Sequence, residues 1–130
     1  MEGAHPLGTP AAHCRVPDFF IVGQPKSGTT ALFEMLSSHP QIYLPDCKEG
    51  WFLASELLFR PPPRPEGVPA TLEEYLSLFD AAGVEQRAGE ATALYLWSRT
   101  AANRIAQLQP AARIIAVLRE PASLLRSLHL

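Results

Sequence analysis

Two short runs of apolar residues, each followed by a helix-like pattern, dominate the chain. Residues 18–23 are almost wholly apolar and end at a glycine, and residues 113–119 form a second apolar run between two arginines. Unbroken apolar runs of this length are typical of strands buried on both faces of a parallel sheet. Because each run leads into a segment with helical spacing, the pattern predicts an α/β fold: a doubly wound parallel sheet with flanking helices.

The segment after the first run predicts a helix over residues 29–38. Its apolar positions Leu32, Met35 and Leu36 fall on one stripe, which should face the core. Pro40 predicts the end of this helix, because the residue before a proline is disfavoured in the helical region. A second short strand is then predicted over residues 41–44.

The second half of the chain opens with a stiff proline-rich connector at residues 61–67. Thr71 and Glu74 match a capping box, which predicts a helix that stops near residues 82–83. Residues 91–96 predict another strand.

Two further helix starts are visible beyond that point. Ser98 or Thr100 is the predicted cap of one helix. Glu120 and Pro121 predict the start of another, with proline in the first turn and an acid near the positive end of the helix dipole.

Composition narrows the class of protein only slightly. The chain has 130 residues, 47% of them apolar and 18% charged, with a net charge of −2. Such a charge provides no global field for nucleic acid or an anionic membrane, so an anion site must be local. Cys14 and Cys47 match neither a metal-ligand spacing nor a disulfide framework. No secretory signal and no run of about 18 apolar residues is visible, so we expect a cytoplasmic protein without a membrane span.

The loop after the first apolar run carries the clearest chemistry. Gly23 and Gly28 are five residues apart, as in the phosphate-binding pattern G-x-x-x-x-G-K-[ST]. The fold expected is therefore P-loop NTPase-like. Thr29 stands where the lysine of that pattern belongs, Thr30 follows it, and the lysine lies inside the loop at Lys26. Glycines let successive N–H groups point at one anion, and the following helix adds its dipole.

The displaced lysine argues against an ordinary ATPase. The second apolar run ends in Arg119, where a magnesium-binding acid would be expected. Side-chain cations could replace the metal if the transferred group carries less charge than a phosphoryl group, and a sulfuryl group fits that description. A P-loop kinase or NTPase and a non-catalytic fragment remain the alternatives.

Several segments, in order, resemble sulfotransferases that use 3′-phosphoadenosine 5′-phosphosulfate (PAPS). The similarity is to the carbohydrate (heparan-type) branch and its bacterial relatives, and it spans most of the chain from Asp18 onward. The segments that carry it are residues 25–32, 38–42, 48–52, 89–92 and 113–127.

The resemblance implies roles for individual residues. Lys26 would stabilise the leaving group, Glu49 would be the general base, and Arg119 with Ser127 would hold the 3′-phosphate. Glu90 is interpreted as a structural hydrogen-bond acceptor, with a catalytic part as the alternative. The 5′-phosphosulfate loop comprises Pro25, Lys26, Ser27, Gly28, Thr29 and Thr30.

The resemblance also implies the organisation of the chain. The early Gly, Pro and Ala residues predict a loose leader over residues 1–16. The resemblance implies that residues 17–130 are the N-terminal part of a sulfotransferase domain that is truncated three residues after Ser127. PAPS is the expected co-substrate and no metal is expected. A small molecule or carbohydrate with a hydroxyl or amine is the expected acceptor, without nucleic acid or membrane partners.

Overall fold

Four parallel strands, in the order β2-β3-β1-β4, form the sheet at the centre of the protein. This computed structural model describes residues 14–23, 27–46, 51–57 and 67–129. The strands are β1 (Phe19–Gly23), β2 (Ile42–Tyr43), β3 (Arg87–Ala91) and β4 (Arg113–Val117). The helices are α1 (Thr29–Ser37), α2 (Leu72–Ser77), α3 (Ala101–Leu108) and α4 (Pro121–His129). Two 3₁₀ helices lie between them, the first at Phe52–Leu57 and the second at Ala93–Trp97.

The predicted fold class is confirmed, because the parallel sheet is packed by helices on both faces. Alternate side chains of β1 enter two separate clusters of buried residues. Phe20 and Val22 join the larger cluster with the two 3₁₀ helices, α2 and α3. Phe19 and Ile21 join the smaller one, against which α1 packs. Apolar side chains at the first four positions of β1 are therefore what a strand buried on both faces requires.

The strand predicted over residues 113–119 is present, but it is not buried. Four of the five residues of β4 are exposed, and the side chain of Ile114 is 51% accessible. The physical reason is position, because β4 lies at an edge of the described sheet and pairs only with β1. The prediction of a strand is therefore confirmed, and the prediction that its side chains are buried was wrong.

The strand predicted over residues 91–96 was wrong. The strand is β3, which ends at Ala91, and the following residues turn into the second 3₁₀ helix. The Tyr95 N–H donates to the carbonyl of Thr92 at 3.2 Å, which closes one of its turns. Parallel pairing with β1 selected a segment of small and polar residues for the strand, and local apolar character did not reveal this.

Smaller differences concern the helices. Thr71 caps α2 as predicted, since its Oγ1 accepts from the Glu74 N–H at 3.1 Å, but α2 ends at Ser77 and turns follow it. On α1, Leu32 and Leu36 pack against the smaller cluster, whereas Met35 is 69% exposed. The predicted stripe was therefore wrong at Met35.

The last residues of the predicted leader contact the domain. Cys14 and Val16 pack against the larger cluster. Arg15 pairs with Asp18 at 3.0 Å and also donates to the carbonyl of Gln86. Residues 1–13 and most of the proline-rich connector lie outside the described residues.

Candidate functional site

The candidate site lies at the carboxyl edge of the sheet, where β1 ends. β1 has β3 on one side and β4 on the other, so the strand order reverses beside it. In open α/β sheets, ligands bind outside the carboxyl ends of the strands at such a switch point. Gly23, the last residue of β1, is in register with Val117, the last residue of β4. The loop to α1 and the chain that leaves β4 therefore start side by side.

Two glycines fit the loop to this position. A Cβ added at Gly23 would lie 2.6 Å from the backbone oxygen of Val117. This distance is a clash, so any other residue at this position would require a shift of the backbone. Gly28 has a φ of +89°, a left-handed backbone conformation that residues other than glycine rarely adopt. Gly28 precedes α1 and provides no side-chain cap, and α1 has no acidic residue in its first turn. No side-chain cap and no first-turn acid therefore compensates the positive end of the α1 dipole, which can attract an external anion.

Ser27 supplies an unsatisfied polar group in the same loop. Its Oγ is buried and has no hydrogen-bond partner in the part of the chain that the structure describes. A buried hydroxyl without a partner costs about 1–3 kcal/mol, so such a group normally binds water, an ion or a ligand atom. Thr29 is buried, with its Cγ2 close to Gly23, whereas Thr30 is exposed. Ser27, Gly28, Thr29 and Thr30 are the described part of the predicted cradle, and an anionic oxygen at the loop would satisfy the Ser27 hydroxyl.

Three predicted site residues lie outside the described residues: Pro25, Lys26 and Glu49. The positions of their side chains and their roles therefore stay predictions.

Arg119 follows β4 by two residues and is exposed at the same edge of the sheet as the loop. Next to it, Glu120 caps α4, since its carboxylate accepts from the N–H groups of Ala122 and Ser123, both at 2.9 Å. These two backbone hydrogen bonds lower the pKa of Glu120. Ser127 is half-buried on α4, about 9 Å along the helix axis from Pro121. The fold thus brings Arg119 to the loop edge, while the joint binding of a 3′-phosphate by Arg119 and Ser127 stays a prediction.

A buried carboxylate lies at the end of the adjacent strand. Glu90 is only 2% exposed. Its Oε1 accepts from the hydroxyls of Tyr95 and Thr92, at 2.5 and 3.0 Å, and its Oε2 accepts from the Tyr75 hydroxyl. The interpretation of Glu90 as a structural hydrogen-bond acceptor is confirmed by these contacts.

Sequence reasoning missed the two tyrosines of this cluster. Burial raises the pKa of both Tyr75 and Tyr95 well above the ordinary value, and the nearby charge of Glu90 adds to the effect. Both hydroxyls therefore stay protonated and able to donate at neutral pH. The short spacing from Glu90 to Tyr95 could have indicated one partner, whereas Tyr75 comes from α2 and only the fold brings it there.

Neither a metal centre nor a membrane-spanning helix is found among the described residues. No group of three or more His, Cys, Asp and Glu side chains there is arranged to hold a metal ion. Among the same residues, none of the helices has both the length and the apolar character that crossing a membrane requires.

The fold and the loop define an α/β domain with a candidate anion-binding loop at the end of a central strand. A family model described as "Sulfotransferase family" matches residues 17–89, more than half of the chain. The chain belongs to the sulfotransferase family, a family of transferases.

Known proteins similar to this chain agree with that assignment. Carbohydrate sulfotransferase 15 of Mus musculus is 30% identical over 88% of this chain and 27% of its own length. The membrane-associated sulfotransferase kil1 of Dictyostelium discoideum is 33% identical over 82% of this chain and 21% of its own length. The crystal structure of a sulfotransferase from Alicyclobacillus acidocaldarius is 36% identical, with a TM-score of 0.77, over 88% of this chain and 49% of that one. The chain thus spans about a quarter of the curated relatives and about half of the solved one.

Proposed function

We propose that this chain forms the donor-binding part of a sulfotransferase that uses PAPS. The observation that carries the proposal is the buried Ser27 Oγ, which has no partner among the described residues, in a loop that meets the uncapped start of α1. This combination provides a hydroxyl donor and a helix dipole for one anionic group. Membership in the sulfotransferase family supports a sulfonated nucleotide as the source of that anion.

A second anionic group of the donor would lie toward β4 and α4. Arg119 follows the strand next to the loop, and a guanidinium offers a forked set of donors that matches phosphate oxygens. Ser127 would add a hydroxyl from α4. A nucleotide that carries both a 5′-phosphosulfate and a 3′-phosphate has two anionic ends, which is why we favour PAPS over a nucleotide with a single phosphate chain.

In the proposed reaction, PAPS supplies the sulfuryl group to the acceptor. Glu49 takes the proton from the acceptor hydroxyl or amine as the new bond to sulfur forms. The bond from sulfur to the bridging oxygen of the nucleotide breaks, and Lys26 neutralises the charge on that oxygen. The products are the sulfated acceptor and adenosine 3′,5′-bisphosphate.

We propose a carbohydrate hydroxyl or amine as the acceptor. The names of the mammalian relatives, which are carbohydrate sulfotransferases, support this choice. A cytoplasmic location is a separate proposal from the sequence, and fractionation of cells that express the complete gene product would test it.

Titration calorimetry of the complete gene product tests donor binding. We expect adenosine 3′,5′-bisphosphate to bind without magnesium and more tightly than ATP. Ser27→Ala should weaken this binding roughly tenfold, which corresponds to a lost hydrogen bond to a charged group. The matched control is Ser37→Ala, because Ser37 is an exposed serine whose hydroxyl only donates to the carbonyl of Phe33 within α1. Equal affinity of the Ser27→Ala and Ser37→Ala variants, or magnesium-dependent binding of ATP alone, would contradict the proposal.

A further inference from the structure

The second 3₁₀ helix ends in an exposed tryptophan close to the carboxyl edge of the sheet. The N–H of Thr92, which precedes this helix, donates to the carbonyl of Ile21 at 3.1 Å, two residues before the end of β1. The helix therefore starts beside the strand end from which the loop leaves. Its last residue, Trp97, lies about 8 Å along the helix axis from Ala93.

The outer side of this helix is apolar and open to solvent. Trp97 is 53% exposed and its neighbour Leu96 is 39% exposed, whereas Ala93 and Tyr95 of the same helix are buried. Tryptophan is highly buried on average, because its large ring is mostly apolar. An indole that is held in solvent near a candidate binding site offers an apolar ring face to a ligand.

Hydrogen bonds hold the backbone on both sides of Trp97. The Ser98 N–H donates to the Tyr95 carbonyl at 3.2 Å. The hydroxyls of Ser98 and Thr100 both donate to the carboxylate of Glu56 in the first 3₁₀ helix, the Thr100 hydroxyl at 2.8 Å. Because the backbone that carries the indole is already ordered, less entropy is lost when a ligand binds to it.

Arg99 adds a positive charge two residues from Trp97. It is exposed and lies between Ser98 and Thr100, so the same hydrogen bonds hold its backbone. A guanidinium binds carboxylate or sulfate oxygens through paired N–H donors. An apolar ring face beside a guanidinium matches an acidic sugar, which presents C–H groups on the face of its ring and a carboxylate or sulfate at its rim.

We propose that Trp97 and Arg99 bind the acceptor, and that the acceptor is an acidic polysaccharide. The indole of Trp97 stacks on one sugar ring, and the guanidinium of Arg99 pairs with a carboxylate or sulfate of the same polysaccharide. This assignment rests on the proposed function, in which a carbohydrate accepts the sulfuryl group. Neither side chain contacts a reacting atom in this scheme, so both determine acceptor affinity and leave donor binding unchanged.

Calorimetric titration of the complete gene product, saturated with adenosine 3′,5′-bisphosphate, tests the role of the indole. The probes are desulfated heparin, which keeps its carboxylates, and carboxyl-reduced desulfated heparin, which has the same backbone without them. Trp97→Ala should weaken the binding of both polysaccharides roughly tenfold, because the stacking surface is lost. Trp97→Phe should keep most of the affinity, since it retains an aromatic face. The affinity of both variants for adenosine 3′,5′-bisphosphate should stay within about twofold of the wild type.

The role of the guanidinium is tested with the same two probes. Arg99→Ala should weaken the binding of desulfated heparin roughly threefold at low salt, and this loss should shrink as the salt concentration rises. The binding of the carboxyl-reduced form should not change, because that polysaccharide has no negative charge to pair with Arg99.

Val84→Ala and Arg113→Ala are the matched controls. Val84 is 95% exposed in the turn before β3, and Arg113 is exposed at the start of β4. Both therefore lie at the amino edge of the parallel sheet, opposite the candidate site. Neither substitution should change the affinity for either polysaccharide.

Several outcomes would overturn this assignment. They are an unchanged affinity of Trp97→Ala for desulfated heparin, losses of similar size in the two control variants, and an equal loss for both polysaccharides in Arg99→Ala. A wild type that binds adenosine 3′,5′-bisphosphate and neither polysaccharide would also overturn it, whereas the proposed donor binding would stand. A wild type that does not bind the nucleotide overturns the proposed function, and the acceptor assignment with it.

Discussion

At the scale of single residues, two glycines and one serine define the candidate site. Gly23 allows the end of β1 to lie directly against the backbone of β4, and Gly28 allows the left-handed turn into α1. Ser27 contributes a hydroxyl whose partner is not found among the described residues. The shape of the loop is therefore set by backbone geometry, and the predicted cradle would add side-chain donors to it.

Gly23→Ala tests the steric part of this view. The new Cβ would meet the Val117 oxygen at 2.6 Å, so β1 and β4 must separate and the loop must move. We expect a loss of about 1–3 kcal/mol in the free energy of unfolding, measured by urea denaturation, together with weaker nucleotide binding.

The control for that substitution is Gly83→Ala. A Cβ at Gly83 would have only ordinary contact, 3.4 Å from the Gln86 side chain, and no positive φ is recorded there. This variant should be neutral or slightly stabilising. Comparable destabilisation by the two substitutions would mean that the close approach of Gly23 to Val117 is not the cause.

At the scale of elements, the buried Glu90 cluster joins parts of the fold that are distant in sequence. Tyr75 comes from α2, Tyr95 comes from the second 3₁₀ helix, and the carboxylate itself lies in β3. A buried carboxylate is tolerable only when hydroxyls or cations compensate for its lost hydration. The cluster therefore couples the stability of these elements to the protonation of two tyrosines.

This coupling predicts a loss of stability at high pH. The pKa values of Tyr75 and Tyr95 in the folded state are raised above the ordinary value of 10.0, mainly by burial. Between the ordinary and the raised pKa, the folded protein binds more protons than the unfolded one. Stability is then fully present below about pH 10 and falls as pH rises further, by about 1 kcal/mol per pH unit for each tyrosine.

Urea denaturation between about pH 8 and pH 11 measures this dependence. Tyr75→Phe and Tyr95→Phe should each show a shallower alkaline loss than the wild type, because one titrating group is removed. If the free energy of unfolding falls with pH as steeply in both variants as in the wild type, the two tyrosines do not titrate as neutral, buried groups.

At the scale of the whole molecule, apolar surface is concentrated around β4 and α4. Ile114, Leu118, Leu125 and Leu128 are large apolar residues with exposed side chains. An edge strand with apolar side chains presents unpaired backbone groups to other chains. The polypeptide of residues 1–130 should therefore associate with itself as its concentration rises.

Sedimentation velocity over a range of concentrations tests this expectation. Ile114→Lys should shift the protein toward the monomer, since it places a charge on the edge strand. Val84→Lys is the control, because Val84 is 95% exposed and lies in the turn before β3. If both variants lower association equally, net charge rather than the β4 edge is responsible.

Much of the fold followed from local patterns because those patterns have local causes. The apolar run of β1, the capping of α2 by Thr71 and the Glu120 start of α4 were all predicted, and each depends on residues near one another in sequence. The predictions failed where partners are distant. β4 was expected to be buried, and β3 was expected at residues 91–96, because strand pairing and neighbours on the other face are set by the sheet as a whole.

The sequence by itself determined where the loop lies: glycines follow a buried strand and precede a helix. With the lysine displaced into the loop, this pattern predicts an anion cradle, since backbone geometry and helix dipoles are local properties. Tertiary structure alone decided how that cradle is surrounded. It set Gly23 against Val117, left the Ser27 hydroxyl buried without a protein partner among the described residues, and enclosed Glu90 with two tyrosines from separate elements. Burial and long-range hydrogen bonds arise only when segments far apart in the chain are packed together, and no local pattern encodes that packing.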